Sequence, residues 1–191
     1  MKTMKQWLLM GLFALATFSL TACSEDDKND NDSGNSGNTT ESYILITPSE
    51  PSIAPFKISL PELNGNAEIV DGQLQFASCQ VEGPQTNWHS GFFWVEIFKG
   101  ENDMAGKWVV QPEFGIKYDH NGKHFDLESS RYNMPVAENL SVNDKVVRFS
   151  FKGEGNMDDC NADYNYVYNS YGFTYEVFIN MNVTSQEGGD K

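Results

Sequence analysis

Apolar residues along most of this chain recur at every second position, the period of a half-buried strand. No stretch of twelve residues keeps a helical i, i+3, i+4 stripe free of glycine and proline. Phe173, Tyr175, Val177, Ile179, Met181 and Val183 alternate with Thr174, Glu176, Asn180 and Asn182, interrupted only by Phe178. Val147, Phe149 and Phe151 alternate with Arg148, Ser150 and Lys152, which predicts a second strand with one wet face. Asp71-Gly72 and Asn121-Gly122 tolerate the positive φ of a tight turn. They predict hairpins that join residues 67–70 to 73–78 and residues 116–119 to 123–128. Residues 92–99 are apolar at both parities and so belong mid-sheet or between layers. Residues 43–47, 56–60, 107–111 and 164–168 complete the predicted strands. Many short strands with turn signals between them predict an all-β fold, an antiparallel two-sheet sandwich.

The two ends of the chain depart from that pattern. Residues 1–6 carry Lys2 and Lys5 and no acid, and residues 7–20 are almost wholly apolar, as in an export signal. A membrane span needs roughly 20 apolar residues, and this run is shorter and stops at Leu20-Thr21-Ala22-Cys23. That tetrapeptide resembles the bacterial lipobox. The resemblance implies a thioether from Cys23 to diacylglycerol, cleavage before Cys23 and durable anchoring by several acyl chains. The run that follows, Ser24-Glu25-Asp26-Asp27, resembles surface lipoproteins of Bacteroidota, in which serine and acids after the cysteine direct display. It implies an outer-membrane protein that faces the cell exterior. The expected organisation is a signal peptide over 1–22, then Cys23 with a flexible acidic tether over 23–41. A single β domain over 42–185 and a disordered tail over 186–191 follow. The tether has no apolar residue and, as a coil, holds the domain on the order of 20 to 25 Å from the lipid.

The alternative architecture is a closed barrel, because Gly106-Lys107-Trp108 resembles the glycine-any-tryptophan motif of lipocalins. There the motif opens the first strand, whereas here it falls mid-chain.

Formal net charge is −14, and loss of Lys2 and Lys5 with the signal takes it to −16. Nucleic acid and anionic lipid headgroups both require a basic face, so neither is an expected partner. With Cys23 lipidated, Cys79 and Cys160 remain in an oxidising compartment and read as a disulfide. Closing that loop of about 80 residues is worth something like 4 kcal/mol in loop entropy.

Candidate chemistry centres on aromatic residues. Tyr164, Tyr166 and Tyr168 would share one face of a strand at about 7 Å spacing. Sugars present flat C–H patches that suit aromatic faces with a polar tip. Trp88, Trp94 and Trp108 offer further platforms, and Asn87, Asn165 and Asn169 offer hydrogen bonds to hydroxyls. The same rings also suit core and cross-strand packing. Asp158, Asp159 and Asp163 with Asn156 and Asn161 suggest calcium, without EF-hand spacing. His89, His120 and His124 suggest haem or another metal. No cofactor is required by the sequence, and calcium and haem stand as minor readings. Glu96 lies in an apolar strand, but no G-x-S-x-G, H-E-x-x-H or phosphate-cradling glycine loop is present, so an enzyme is not expected. The leading expectation is a surface lipoprotein that binds an extracellular nutrient, a glycan first, as accessory to an outer-membrane transporter. The alternative is a structural or assembly component contacting an envelope protein. A haem carrier is third.

Overall fold

The computed structural model describes residues 41–85, 88–130, 134–143 and 145–186. The expected signal peptide, Cys23 and nearly all of the expected tether lie outside them, as do Asn87 and the last five residues of the expected tail. The fold is all-β, as the two-residue period predicts. Ten strands run in chain order: β1 (Tyr43–Pro48), β2 (Phe56–Ser59), β3 (Leu63–Val70), β4 (Gln73–Glu82), β5 (Ser90–Lys99), β6 (Trp108–His120), β7 (Lys123–Ser129), β8 (Glu138–Val142), β9 (Val146–Cys160) and β10 (Val167–Gln186). One 3-10 turn, Asn102–Met104, precedes β6. Among the described residues no helix is long and apolar enough to cross a membrane.

The strands form one sheet in the order β2-β1-β10-β3-β4-β5-β6-β7-β9-β8, with β9 also paired to β10, so the ladder closes on itself. Every pairing between these strands is antiparallel except β10 with β3. β9 and β10 are 15 and 20 residues long, enough to pair with different neighbours at their two ends. Thus β10 carries β1 beside Phe173–Phe178 and β3 beside Met181–Gln186 on one edge, and β9 on the other. Two layers still face one another across the core. Phe114 of β6 meets Tyr175 of β10 edge-on at 5.2 Å, and Phe56 of β2 stacks on Phe125 of β7 at 5.9 Å.

Alternation decides which side chains fill that core. Phe93, Val95 and Ile97 of β5 point inward, as do Phe149 and Phe151 of β9 and Tyr175, Val177, Ile179 and Met181 of β10. Each such side chain contributes roughly 1.5–3 kcal/mol by leaving water. The two predicted turns have the positive φ that a tight hairpin requires: 51° and 73° at Asp71-Gly72, and 51° and 76° at Asn121-Gly122. Gly153 and Gly155 lie directly opposite Tyr175 and Phe173, whose rings occupy the space a Cβ would need. They let two large rings cross a buried strand instead of breaking it.

The expected disulfide does not form: Cys79 and Cys160 are both free and buried. Cys79 faces inward on β4 between Gly65 and Val95, within the core cluster. Cys160 ends β9 opposite His124, on the outward parity of that strand. At least two strands separate β4 from β9 either way around the ladder, and a bridge needs Cα atoms within about 7 Å. Burial pushes the Cys79 thiol up to about 12 and raises that of Cys160.

Candidate functional site

The parity that sends Phe93, Val95 and Ile97 into the core sends Phe92, Trp94, Glu96 and Phe98 outward, where all four are half-exposed. Strand register then sets their neighbours in four rows across the sheet. Glu68, Phe76, Phe98 and Val109 stand side by side, and next to them Asn66, Ser78, Glu96 and Gln111. The third row is Gln80, Trp94 and Glu113, and the fourth is Glu82, Phe92, Gly115 and Glu128. Residues directly opposite have Cβ atoms about 5 Å apart, and successive rows lie about 7 Å apart. Phe92 lies over Gly115, where its ring comes within 3.4 Å of the position a Cβ would take. The outcome is a broad sheet face with three phenylalanines and one tryptophan, each row carrying an amide or carboxylate.

One row further along, Ser90, Lys117, Asp126, Asp158 and Ser170 line up, and beyond them Asp119, His124, Cys160 and Val167. This end of the face is a polar cluster centred on Asp119. Its Oδ1 accepts the Tyr164 hydroxyl at 2.6 Å and lies 2.6 Å from His124 Nδ1, while Oδ2 is 3.3 Å from His89 Nε2. Both imidazoles meet the Tyr164 ring edge-on at 5.8 Å, and Lys117 Nζ sits 5.3 Å from its centroid. The hydrogen bond from Tyr164 holds the Asp119 carboxyl below its usual range, helped by His124 and His89. Burial, then the bond to Asp119, raises the Tyr164 phenol. Burial also raises Asp126, although Lys117 opposes it. The cluster fastens the β9–β10 connection to the β6–β7 hairpin.

Beyond that fastening the tyrosine row takes a different shape from the predicted one. Residues 164–166 are loop, and β10 begins only at Val167. Asn161 causes this: its Oδ1 accepts the N–H groups of Asn165 and Tyr166, both at 3.0 Å, so the chain turns where alternation alone suggested a strand. Tyr164 therefore folds down at φ 54°, while Tyr166 and Tyr168 stand out at 62% and 59% exposure. Their rings are 5.3 Å apart at 66°, edge to face rather than coplanar.

The three tryptophans separate as well. Trp94 is the outward one. Trp88 is only 3% exposed, turned inward by a tight Gln85–Trp88 bridge, with its indole N–H unpartnered, so it belongs to the core and cannot serve as a platform. Trp108 packs partly against the core, with Lys99 Nζ 5.7 Å from its ring. His120 points to the opposite side of its hairpin from His124 and stacks on Phe56 at 4.6 Å, which parts it from His89 and His124. The acids proposed for calcium also diverge. Asp158 accepts from Ser170 at 2.6 Å, whereas Asp159 faces inward and pairs with Lys123 at 3.0 Å. Among the described residues no group of three or more His, Cys, Asp or Glu is placed to hold a metal ion.

A groove of about 410 Å³ opens on the outer face of β1, β10 and β9. Its walls include Leu45, Thr47, Lys152, Glu154 and Glu176, and the aromatic residue among them, Tyr175, is only 2% exposed and offers no platform comparable to Trp94. Phe76, Phe92 and Phe98 were not among the residues that the sequence singled out. Their signal was Glu96, a carboxylate that marks the even positions of its strand as the wet ones. No protein-family model matches the chain, and no match was found to a curated protein or to a solved structure.

Proposed function

We propose that this protein is a surface lipoprotein that binds an extracellular glycan on the outer face of β4, β5 and β6, as an accessory to outer-membrane uptake. The observation that carries this reading is the half-exposed row set around Trp94. There an indole lies between Gln80 and Glu113, with Phe92 and Phe98 two and four residues away along one strand. Aromatic faces cover the C–H patches of a sugar ring, and the amides and carboxylates beside them match its hydroxyls. Trp94 to the Asp119 cluster spans about 20 Å along the sheet, room for several sugar units. Tyr166, which precedes Val167 of the Asp119 row, extends the surface past that end. The resemblance of the first residues to the lipobox supports anchoring through Cys23.

A microarray of neutral oligosaccharides probed with the chain from Ser24 to Lys191 tests the reading. Retention that Trp94→Ala abolishes supports it; no retained saccharide, or retention indifferent to Trp94→Ala, counts against it. Labelling of the precursor by palmitate, lost in Cys23→Ser, tests the anchor.

Contact with an envelope protein is the second reading. The start of β10, from Val167 to Tyr171, pairs with β9 on one side and, among the described residues, with no strand on the other. Such an edge can accept an added strand. A substitution there, Val167→Pro, would remove a protein contact and leave saccharide binding at Trp94 intact.

A further inference from the structure

The start of β10 is a strand edge without the usual protection. β2 and β8, the terminal strands of the ladder, are four and five residues long and carry Lys57 and Glu138, and short charged edges discourage further pairing. By contrast, the twelve residues from Tyr164 to Tyr175 contain no charge and no proline. Residues 165–170 are exposed at both parities, Tyr166, Val167 and Tyr168 among them. An exposed segment rich in tyrosine and free of charge is of the kind that pairs with another strand. Its open main-chain groups follow from alternation. Gly172 O accepts the Ser49 N–H at 2.8 Å just past the end of β1, so the N–H and C=O of Ser170 turn to that same side, where no strand stands among the described residues. Resting on the reading of this edge as a contact surface, we propose that its partner is the same strand of a second copy of this chain, paired antiparallel about a two-fold axis at Ser170. Each Ser170 then exchanges both main-chain bonds with its counterpart. Tyr168 falls opposite Gly172 of the second copy, where the space for a side chain is open: the atom nearest to a Cβ there is Ser49 Oγ at 3.7 Å. One patch used twice in this way is the ordinary form of a two-fold contact. Like charge does not oppose it strongly. Asp158, the carboxylate that accepts from Ser170, lies one strand further in, so the two copies hold theirs three strand spacings or about 14 Å apart, beyond a Debye length.

The bulge between Val167 and Asn169 and the bond from Ser49 bound the new ladder at its two ends, so it is short. It buries well under the roughly 1,200 Å² of a stable complex, and the association is accordingly weak in solution. Tethering at one membrane through Cys23, as proposed above, raises the effective concentration of copies. Sedimentation velocity of the chain from Ser24 to Lys191, from about 10 μM to about 1 mM, tests the pairing. The expected result is a monomer–dimer shift with rising concentration, together with slowed hydrogen exchange at the Ser170 amide. Ser170→Ala should keep the dimer, because main-chain groups make the bonds. Ser170→Pro removes the open N–H, and Ser170→Lys sets like charges directly opposite one another, so both should weaken the dimer several-fold or more. Thermal melts matching the parent show that a variant is folded; if Ser170→Pro is not, Ser170→Lys decides. A chain that stays monomeric throughout overturns the proposal, and so does a dimer that Ser170→Lys leaves intact. Neither outcome touches the envelope-protein reading of this edge, which Val167→Pro tests by itself.

Discussion

Replacing Gly153 by alanine adds one methyl group at a tightly closed point of the core. A Cβ there would fall within 3 Å of three atoms of the Tyr175 side chain, nearest to its hydroxyl. Two fully buried rings restrict that side chain: Phe114 meets it edge-on at 5.2 Å and Phe151 at 6.3 Å. Overpacking ordinarily costs 1–3 kcal/mol, and so constrained a site falls at the upper end, about 3 kcal/mol. For a domain of about 150 residues that lowers Tm by roughly 10 °C. The Tyr175 hydroxyl is buried without a hydrogen-bond partner, so Tyr175→Phe should be neutral or stabilising by about 1 kcal/mol. It also removes the atom nearest the new methyl. In the Tyr175→Phe background, Gly153→Ala should cost about 1 kcal/mol less, a coupling that a double-mutant cycle in urea resolves. A Gly153→Ala protein within 0.5 kcal/mol of the parent, or a coupling of zero, would refute the packing of β9 against β10 described above.

Acid titration should separate two carboxyl groups shifted in opposite directions. Asp119 is depressed, so its contribution is present above the ordinary Asp range near 4 and fades as pH falls through its lower folded value; Tyr164→Phe should flatten that part of the stability profile. Asp126 is raised by burial, so it costs stability at neutral pH and the cost is relieved as pH falls; Asp126→Asn should stabilise near pH 7 and lose its advantage in acid. Thermal melts from about pH 2 to 7 read both effects. Both thiols of the chain from Ser24 onward should resist a thiol reagent in the native state and titrate as two on unfolding without reductant, since Cys79 and Cys160 are free and buried; a count of zero restores the disulfide. Trp88→Ala should cost about 3–5 kcal/mol in urea unfolding because it empties a core site, whereas Trp94→Ala should cost about 1 kcal/mol, and equal costs would contradict their assignment to opposite faces.

Much of the fold was legible in the chain because alternation and turn chemistry are local. Phe173 to Val183, the two hairpin dipeptides and the strand from Phe92 lie where the period places them. What local signals misread were glycine and proline. Gly153 and Gly155 look like the end of the strand that starts near Val147, yet β9 continues through them because the opposing rings need the space. Residues 107–111 and 116–119, predicted as two strands on either side of Pro112 and Gly115, form one, because β6 runs through both. Pro112 pairs with Val95 on one side and falls before β7 joins the other, where a missing N–H leaves no ladder bond open. β8 has too few apolar residues to announce itself. At the site, the sequence supplied the aromatic residues but not their direction. Trp88 and Trp94 read alike until a two-residue bridge buries one and strand parity exposes the other. The tyrosine row failed for a non-periodic reason, the side chain of Asn161. The cluster of Asp119 with His89, His124 and Tyr164 draws on three separate segments that only strand pairing brings together.

The most direct test of the proposed glycan surface is amide chemical-shift mapping of the chain from Ser24 to Lys191 titrated with a saccharide that it retains. The expected result is a contiguous set of shifts over Gln80, Phe92, Trp94, Glu96 and Glu113, extending toward Lys117 and Tyr164 and absent in Trp94→Ala. Shifts confined to the groove at Thr47, Lys152 and Thr174, or to the open edge of β10, would contradict it.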